Sequence, residues 1–193
     1  MNTQQFPTLE QLNAELKRSR YSRRYNAALK GTVLLLVTIA VAAIAASFLF
    51  LSVMKVQGSS MSPTLQNGDI IVALKGTKPE KGDLSAFYFN DKLLVKRVIA
   101  EAGDEVSILP NGTVSVNGAT LSENYVSGKT LGDCDIAFPY VVPQDRLFVL
   151  GDERSVSLDS RHTAIGCVAS EQMVGRVVLR IWPLNQLKLF KAE

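Results

Sequence analysis

From Gly31 to Met54 the chain runs without one charged side chain, and most of its residues there are Leu, Val, Ile, Ala or Phe. As a helix this stretch would be about 36 Å long at ~1.5 Å per residue, slightly more than the ~30 Å hydrocarbon core of a bilayer. Core helices of soluble proteins rarely run so far without a charge, so the segment predicts a transmembrane helix over 31–54. The preceding segment, 1–30, holds six basic side chains (Lys17, Arg18, Arg20, Arg23, Arg24 and Lys30) against Glu10 and Glu15, whereas acids and bases nearly balance over the rest of the chain. The formal net charge of +3 therefore belongs to the N-terminal arm. A basic run directly before an apolar span is a topology signal that keeps the arm in the cytoplasm. Three parts follow: a cytoplasmic basic arm (1–30), a single membrane pass (31–54) and an extracytoplasmic domain (55–193), all at the cell membrane. The polar stretch before Lys17 suggests a short helix. A cleavable secretory signal competes with this reading, because Ala43-Ile44-Ala45 has the small-x-small form of a cleavage site. The long basic region and the apolar residues that continue to Met54 favour a retained anchor.

Several function classes are excluded early. Nucleic-acid binding needs basic residues spread over a folded face, and here they are confined to the arm, so no nucleic-acid partner is expected. His162 is the only histidine, and Cys134 and Cys167 stand far apart in the chain. That set resembles no zinc-ligand spacing, and neither a metal nor a cofactor is expected. Outside the membrane a disulfide between the two cysteines is permitted, although their spacing does not establish one.

Beyond Lys55 the chain changes to short apolar runs punctuated by turn residues, which predicts β-structure. Strands are expected at Ile70–Leu74, Leu84–Phe89, Leu93–Ile99, Leu147–Leu150 and Met173–Trp182. Val106–Leu109 and Thr113–Val116 flank Asn111-Gly112, a strong hairpin signal. No amphipathic helix of three turns is visible after Lys55. The expected fold is a small, mostly antiparallel all-β domain behind one N-terminal transmembrane helix. The hairpin-rich stretch of about 105–142 is the candidate for a small separate lobe.

A single histidine also constrains the chemistry. A Ser-His-Asp hydrolase would have to use His162, which lies in a polar stretch with no Gly-x-Ser-x-Gly elbow nearby. Lysine can replace histidine as general base when its amine is neutral at working pH. In Leu93-Leu94-Val95-Lys96-Arg97-Val98-Ile99, period-two alternation puts Lys96 on one face and Arg97 on the other, each among apolar residues. Burial there disfavours the charged amine and lowers its pKa. Read alone, Gly58-Ser59-Ser60-Met61-Ser62-Pro63-Thr64-Leu65 is equally a turn with hydroxyl caps.

Taken in order, Ser60-Met61-Ser62-Pro63-Thr64, Gly82-Asp83, Lys96-Arg97-Val98 with Gly103-Asp104, and Gly151-Asp152-Glu153-Arg154 with Ser157-Leu158-Asp159-Ser160-Arg161 resemble the successive boxes of bacterial type I signal peptidases. One such match would be weak; four in register behind an anchor of the expected orientation are specific. The small size and single anchor resemble the Gram-positive type. The resemblance implies a signal-peptidase-like antiparallel β-fold and a serine endopeptidase. Its activity would be removal of signal peptides from exported preproteins after small residues of the Ala-x-Ala type. It further implies contact with the lipid bilayer and proximity to the secretion translocon. By resemblance Ser60 is the nucleophile and Lys96 the general base, Ser157 holds the lysine amine, and Asp159 and Arg161 support the catalytic region. Met61 lines the substrate pocket. Some members place a serine two residues before the nucleophile as an oxyanion donor; Gly58 stands there, which leaves the Ser60 backbone N–H. Glu153 replaces the usual asparagine and adds a charge beside the last box. For Lys96 to lose its proton no carboxylate should stand beside it, so Asp159 is expected to pair with Arg161 instead. Self-cleaving DNA-binding repressors use similar Ser/Lys chemistry, but the apolar run argues against them. A membrane-anchored binding protein descended from a peptidase would have no need of Ser60 and Lys96.

Overall fold

In a computed structural model that describes residues 9–191, helix α1 covers Leu9–Phe50. No proline falls between Pro7 and Pro63, and Ala, Leu, Lys, Arg and Glu supply most of the residues from Leu9 to Lys30, all good helix formers. None of the helix is buried, and it is long and apolar enough to cross a membrane. The hydroxyls of its apolar part are satisfied from within. Thr32 Oγ1 donates to the Ala28 carbonyl (3.0 Å), Thr38 Oγ1 to Leu35 (2.8 Å) and Ser47 Oγ to Ala43 (2.9 Å). In hydrocarbon no other partner would be at hand.

The helix ends before the apolar run does, at Phe50 where the run continues to Met54, which corrects the expected span of 31–54. Leu51–Lys55 form strand β1, whose backbone pairs with residues 70–74 and whose Met54 side chain is buried. Within this strand the sheet core accounts for Met54, whereas Val53 is exposed. The helical part of the run, 31–50, is then about 30 Å long at ~1.5 Å per residue, close to the bilayer core. The helix also begins well before Gly31, so the short helix expected before Lys17 merges with it from Leu9 onward; residues 1–8 lie outside the described residues.

The remaining strands are β2 (Ile70–Lys75), β3 (Leu84–Phe89), β4 (Lys92–Glu101), β5 (Glu105–Ile108), β6 (Val114–Val116), β7 (Ala119–Thr120) and β8 (Tyr140–Val141). They are followed by β9 (Arg146–Leu150), β10 (Val168–Ala169), β11 (Met173–Trp182) and β12 (Lys188–Leu189). All pairings are antiparallel. One sheet has the order β1-β2-β11-β3-β4-β9-β10 with β12 added on β11, and a second has the order β7-β6-β5-β8. The segment of about 105–142 thus has its own sheet but no core of its own. Val106, Ile108, Val114, Val116 and Val142 bury their side chains with Ile99, Ala100, Phe148 and Leu150 of the large sheet. Cys167 lies in the same core; it and Cys134 are free thiols.

Two features of the pairing position the site. β1 is an edge strand, bonded only to β2. β4 pairs with β3 over Lys92–Arg97, but β9 joins its other side only from Arg97 onward. Residues 92–96 therefore present a second open edge.

Candidate active site

Between those two edges lies a cleft of about 440 Å3, walled on one side by residues 54–58 with Ser60 and Met61, and on the other by 92–96. The wall bearing Ser60 is a turn held from below. Met61 and Leu65 are buried in the core with Met54, Ile71 and Leu84, and the Leu65 N–H donates to the Met61 carbonyl (2.8 Å). Gly58 enters the turn at φ 87°, a left-handed conformation that glycine adopts without strain, and its N–H donates to Asn67 Oδ1 (3.1 Å). The Ser60 carbonyl accepts from the Glu153 N–H (3.1 Å), tying this turn to the 151–161 loop. The Ser60 N–H makes no hydrogen bond to a described residue.

Lys96 is only 3% exposed, and its Nζ donates to Ser157 Oγ at 2.9 Å. Burial lowers the amine from its ordinary 10.5 to about 8; the Asp159 carboxylate opposes that change, the Arg161 guanidinium assists it, and Asp152 opposes it more weakly. Such a displacement represents about 3 kcal/mol of differential interaction at ~1.36 kcal/mol per pKa unit. No carboxylate forms an ion pair with Lys96 among the described residues. Asp159 is engaged elsewhere: Arg161 Nε meets its Oδ1 and Nη2 its Oδ2, both at 2.8 Å, with both side chains wholly buried. Burial alone would raise the Asp159 carboxyl, but the hydrogen bonds and charge of Arg161, with the Gly151 N–H on Oδ2 (3.0 Å), hold it below the usual carboxylate range. No hydrogen bond joins Ser60 Oγ to Lys96 Nζ here; both line the cleft.

Arg161 also fixes the loop that carries Ser157. Its Nη2 donates to the Arg154 and Ser157 carbonyls (3.0 and 3.2 Å), and its Nη1 donates to the Leu131 carbonyl. At Gly151 an added Cβ would overlap Ser157 Oγ and the Ser60 carbonyl, so this position must be glycine for the two loops to meet.

Two further ion pairs stand behind the site. Arg97 faces away from Lys96, lies 3.8 Å over the Tyr125 ring and grips Asp152 with Nε to Oδ1 (2.9 Å) and Nη2 to Oδ2 (2.7 Å). Arg154 donates to the Gly151 carbonyl (3.0 Å) and pairs with Glu123, both side chains buried. Sequence reading gave Arg154 no role and did not single out Glu123, which lies 31 residues away in no recognisable pattern. The burial of Arg154 requires such an acid, but burial is a property of the fold that no local pattern in the sequence displays. His162 lies outside the cleft lining, with Nε2 3.6 Å from Asp133 Oδ2. The Glu153 side chain accepts from Ser155 Oγ (2.6 Å). Among the described residues no cluster of His, Cys, Asp and Glu could hold a metal ion.

Comparison with known proteins gives a consistent result. The family model described as signal peptidase, peptidase S26, matches residues 29–182. A probable signal peptidase I-2 of Synechocystis is 36% identical over an alignment covering 69% of this chain and 64% of that protein. The chain thus spans a little under two thirds of that relative's length. Signal peptidase IB of Staphylococcus aureus is 37% identical, with 69% of this chain and 78% of that protein covered. A crystal structure of a signal peptidase I from Enterococcus faecalis is 30% identical and aligns with a TM-score of 0.43, covering 52% of this chain and 97% of that one.

Proposed function

This chain belongs to the signal peptidase family, peptidase S26, and from that premise we propose that it cleaves exported preproteins after a small residue, with Ser60 as nucleophile and Lys96 as general base. The observation that carries the assignment of roles is a buried lysine with no ion-pair partner among the described residues, its pKa lowered to about 8, in the cleft that Ser60 lines. A buried lysine without an acid is poorly accounted for by stability alone, because its charged form is penalised.

The two open edges suit an extended peptide that adds as a strand between them and hydrogen-bonds through its main chain. Ser60 Oγ attacks the scissile carbonyl carbon while its proton passes to neutral Lys96. Apo catalytic contacts often tighten only when substrate binds, which fits the absence of a Ser60–Lys96 hydrogen bond here. The oxyanion is met by the Ser60 N–H. The ammonium then returns the proton to the leaving amine, and an acyl-enzyme remains on Ser60. Water, deprotonated by the same lysine, adds to the ester carbonyl and releases the signal peptide as a carboxylic acid, which ionises, with Ser60 restored. Ser157 orients the amine, and Asp159 with Arg161 holds the loop that carries Ser157.

Met61 lies in the cleft wall close to Ser60, where the side chain at −1 must seat. An alanine preprotein should be cleaved by the wild type and not by Ser60→Ala, assayed in detergent. Leucine in place of alanine at −1 is expected to lower kcat/KM on the order of 10- to 100-fold, through overpacking and displacement of the carbonyl. Equal kcat/KM for the two preproteins would remove the pocket assignment.

The basic arm, the apolar helix and the family together support a single-pass anchor with the arm in the cytoplasm and residues 55–193 outside, next to the bilayer and the secretion translocon. Protease added to intact spheroplasts should digest the chain beyond Lys55 and leave residues 1–30 protected. Protection of the β-domain with digestion of the arm would reverse the orientation.

A further inference from the structure

The cleft has two unlike ends. Lys92, Leu94 and Lys96 share one face of β4 by strand alternation, and at ~3.3 Å per residue Lys92 stands about 13 Å from Lys96, the reach of a short extended peptide. The opposite wall runs from Met54 and Lys55, the last two residues of β1, through Gln57 and Gly58 to Ser60. Each wall therefore has a reacting residue at one end and a lysine toward the other. Lys55 and Lys92 both line the cleft and are exposed, and neither forms an ion pair or side-chain hydrogen bond with a described residue. Asp91, the nearest acid in sequence to Lys92, sits in the β3–β4 turn with φ 59° and is not part of the cleft lining. Between the two ends the walls are largely apolar, with Val56, Leu93, Leu94 and Val95. Two unneutralised cations on facing walls of such a cleft, each several residues from the reacting group of its wall, focus a positive potential there.

We propose that Lys55 and Lys92 form a subsite for an acidic side chain of the preprotein, at position −5. This rests on the proposed function, which sets the peptide's direction: small side chains at −1 and −3 enter the cleft at Ser60 and beside Leu94, so position −5 reaches Lys92. An acid there meets both lysines, and a basic residue is repelled by both.

The test uses the full chain in neutral-detergent micelles and preproteins that differ only at −5, carrying Glu, Gln or Lys. The expected order of kcat/KM is Glu above Gln above Lys, with a Glu-to-Lys ratio of roughly tenfold at low salt. It should fall toward one at about 0.5 M salt, where the screening length is only a few Å. In the double variant Lys55→Glu/Lys92→Glu the order should invert. Because ratios within one enzyme are compared, a smaller folded fraction does not disturb the readout. A wild-type ratio near one, with the Gln preprotein still cleaved in a Ser60-dependent way, overturns the subsite and leaves the proposed function intact. A preference that survives unchanged in the double variant, or one that emerges only in vesicles of anionic lipid, also overturns it, the latter by giving the lysines to a lipid surface. No cleavage of the Gln preprotein at any salt concentration would remove the proposed function and the subsite together.

Discussion

Ser60→Ala and Lys96→Ala are each expected to lower kcat/KM for preprotein cleavage by at least about a thousandfold, since one removes the attacking oxygen and the other its base. Lys96→Arg should fail as well, because a guanidinium stays protonated and cannot accept the proton. Ser157→Ala should be milder than either, as it removes an orienting hydroxyl and no reacting group. The acidic limb of the wild-type kcat/KM profile should report the free enzyme's lysine, with an apparent pKa of about 8. Below that value the amine is charged and activity falls; above it the base is available. Burial is the main cause, so the limb should lie far below the ordinary lysine range at any salt concentration that leaves the domain folded. The dyad is falsified if Lys96→Ala keeps near-wild-type kcat/KM with the same acidic limb. Glu153 and His162 would then be tested next, although His162 lies outside the cleft lining and Glu153 is bonded to Ser155.

The long strands were legible because their apolar residues alternate or run together between turn signals. The expected Leu84–Phe89 and Met173–Trp182 coincide with β3 and β11, and the Asn111-Gly112 turn does join β5 to β6. Strands β7, β8, β10 and β12 are two residues each, too short to carry a period. The end of the helix was illegible for a different reason: lipid and a sheet core both select apolar side chains, so the sequence does not change character at Phe50. What separates the two is the partner strand β2, which begins only at Ile70. At the site, the opposite facing of Lys96 and Arg97 follows from alternation, and the pairing of Asp159 with Arg161 follows from what a neutral lysine requires of its surroundings. The Glu123–Arg154 and Arg97–Asp152 pairs span 31 and 55 residues, and no local pattern marks contacts that distant.

Breaking the Asp159–Arg161 pair should have the largest effect on stability, and removing its acid should move the pH profile toward acid. Both side chains are wholly buried, so Asp159→Ala leaves an uncompensated guanidinium, an expected loss of about 3–5 kcal/mol. Arg161→Met should cost a similar amount, because it strands the carboxylate and also leaves the Arg154, Ser157 and Leu131 carbonyls without their donor. Denaturant titration of the full chain in micelles reads both losses. A merely structural pair would do no more than that. Yet Asp159 raises the Lys96 amine and Arg161 lowers it. Removing the acid should therefore take the acidic limb below about 8, and removing the guanidinium should take it above. With Arg161 gone, burial favours protonation of Asp159, whose raising effect is the larger of the two, so the alkaline displacement holds while Asp159 stays ionised and reverses once it is protonated. Residual activity at reduced temperature is sufficient to locate each limb. Displacement of the Asp159→Ala limb above about 8 would show that Lys96 responds to collapse of the loop, and the electrostatic role of the pair would be lost while its structural role remained.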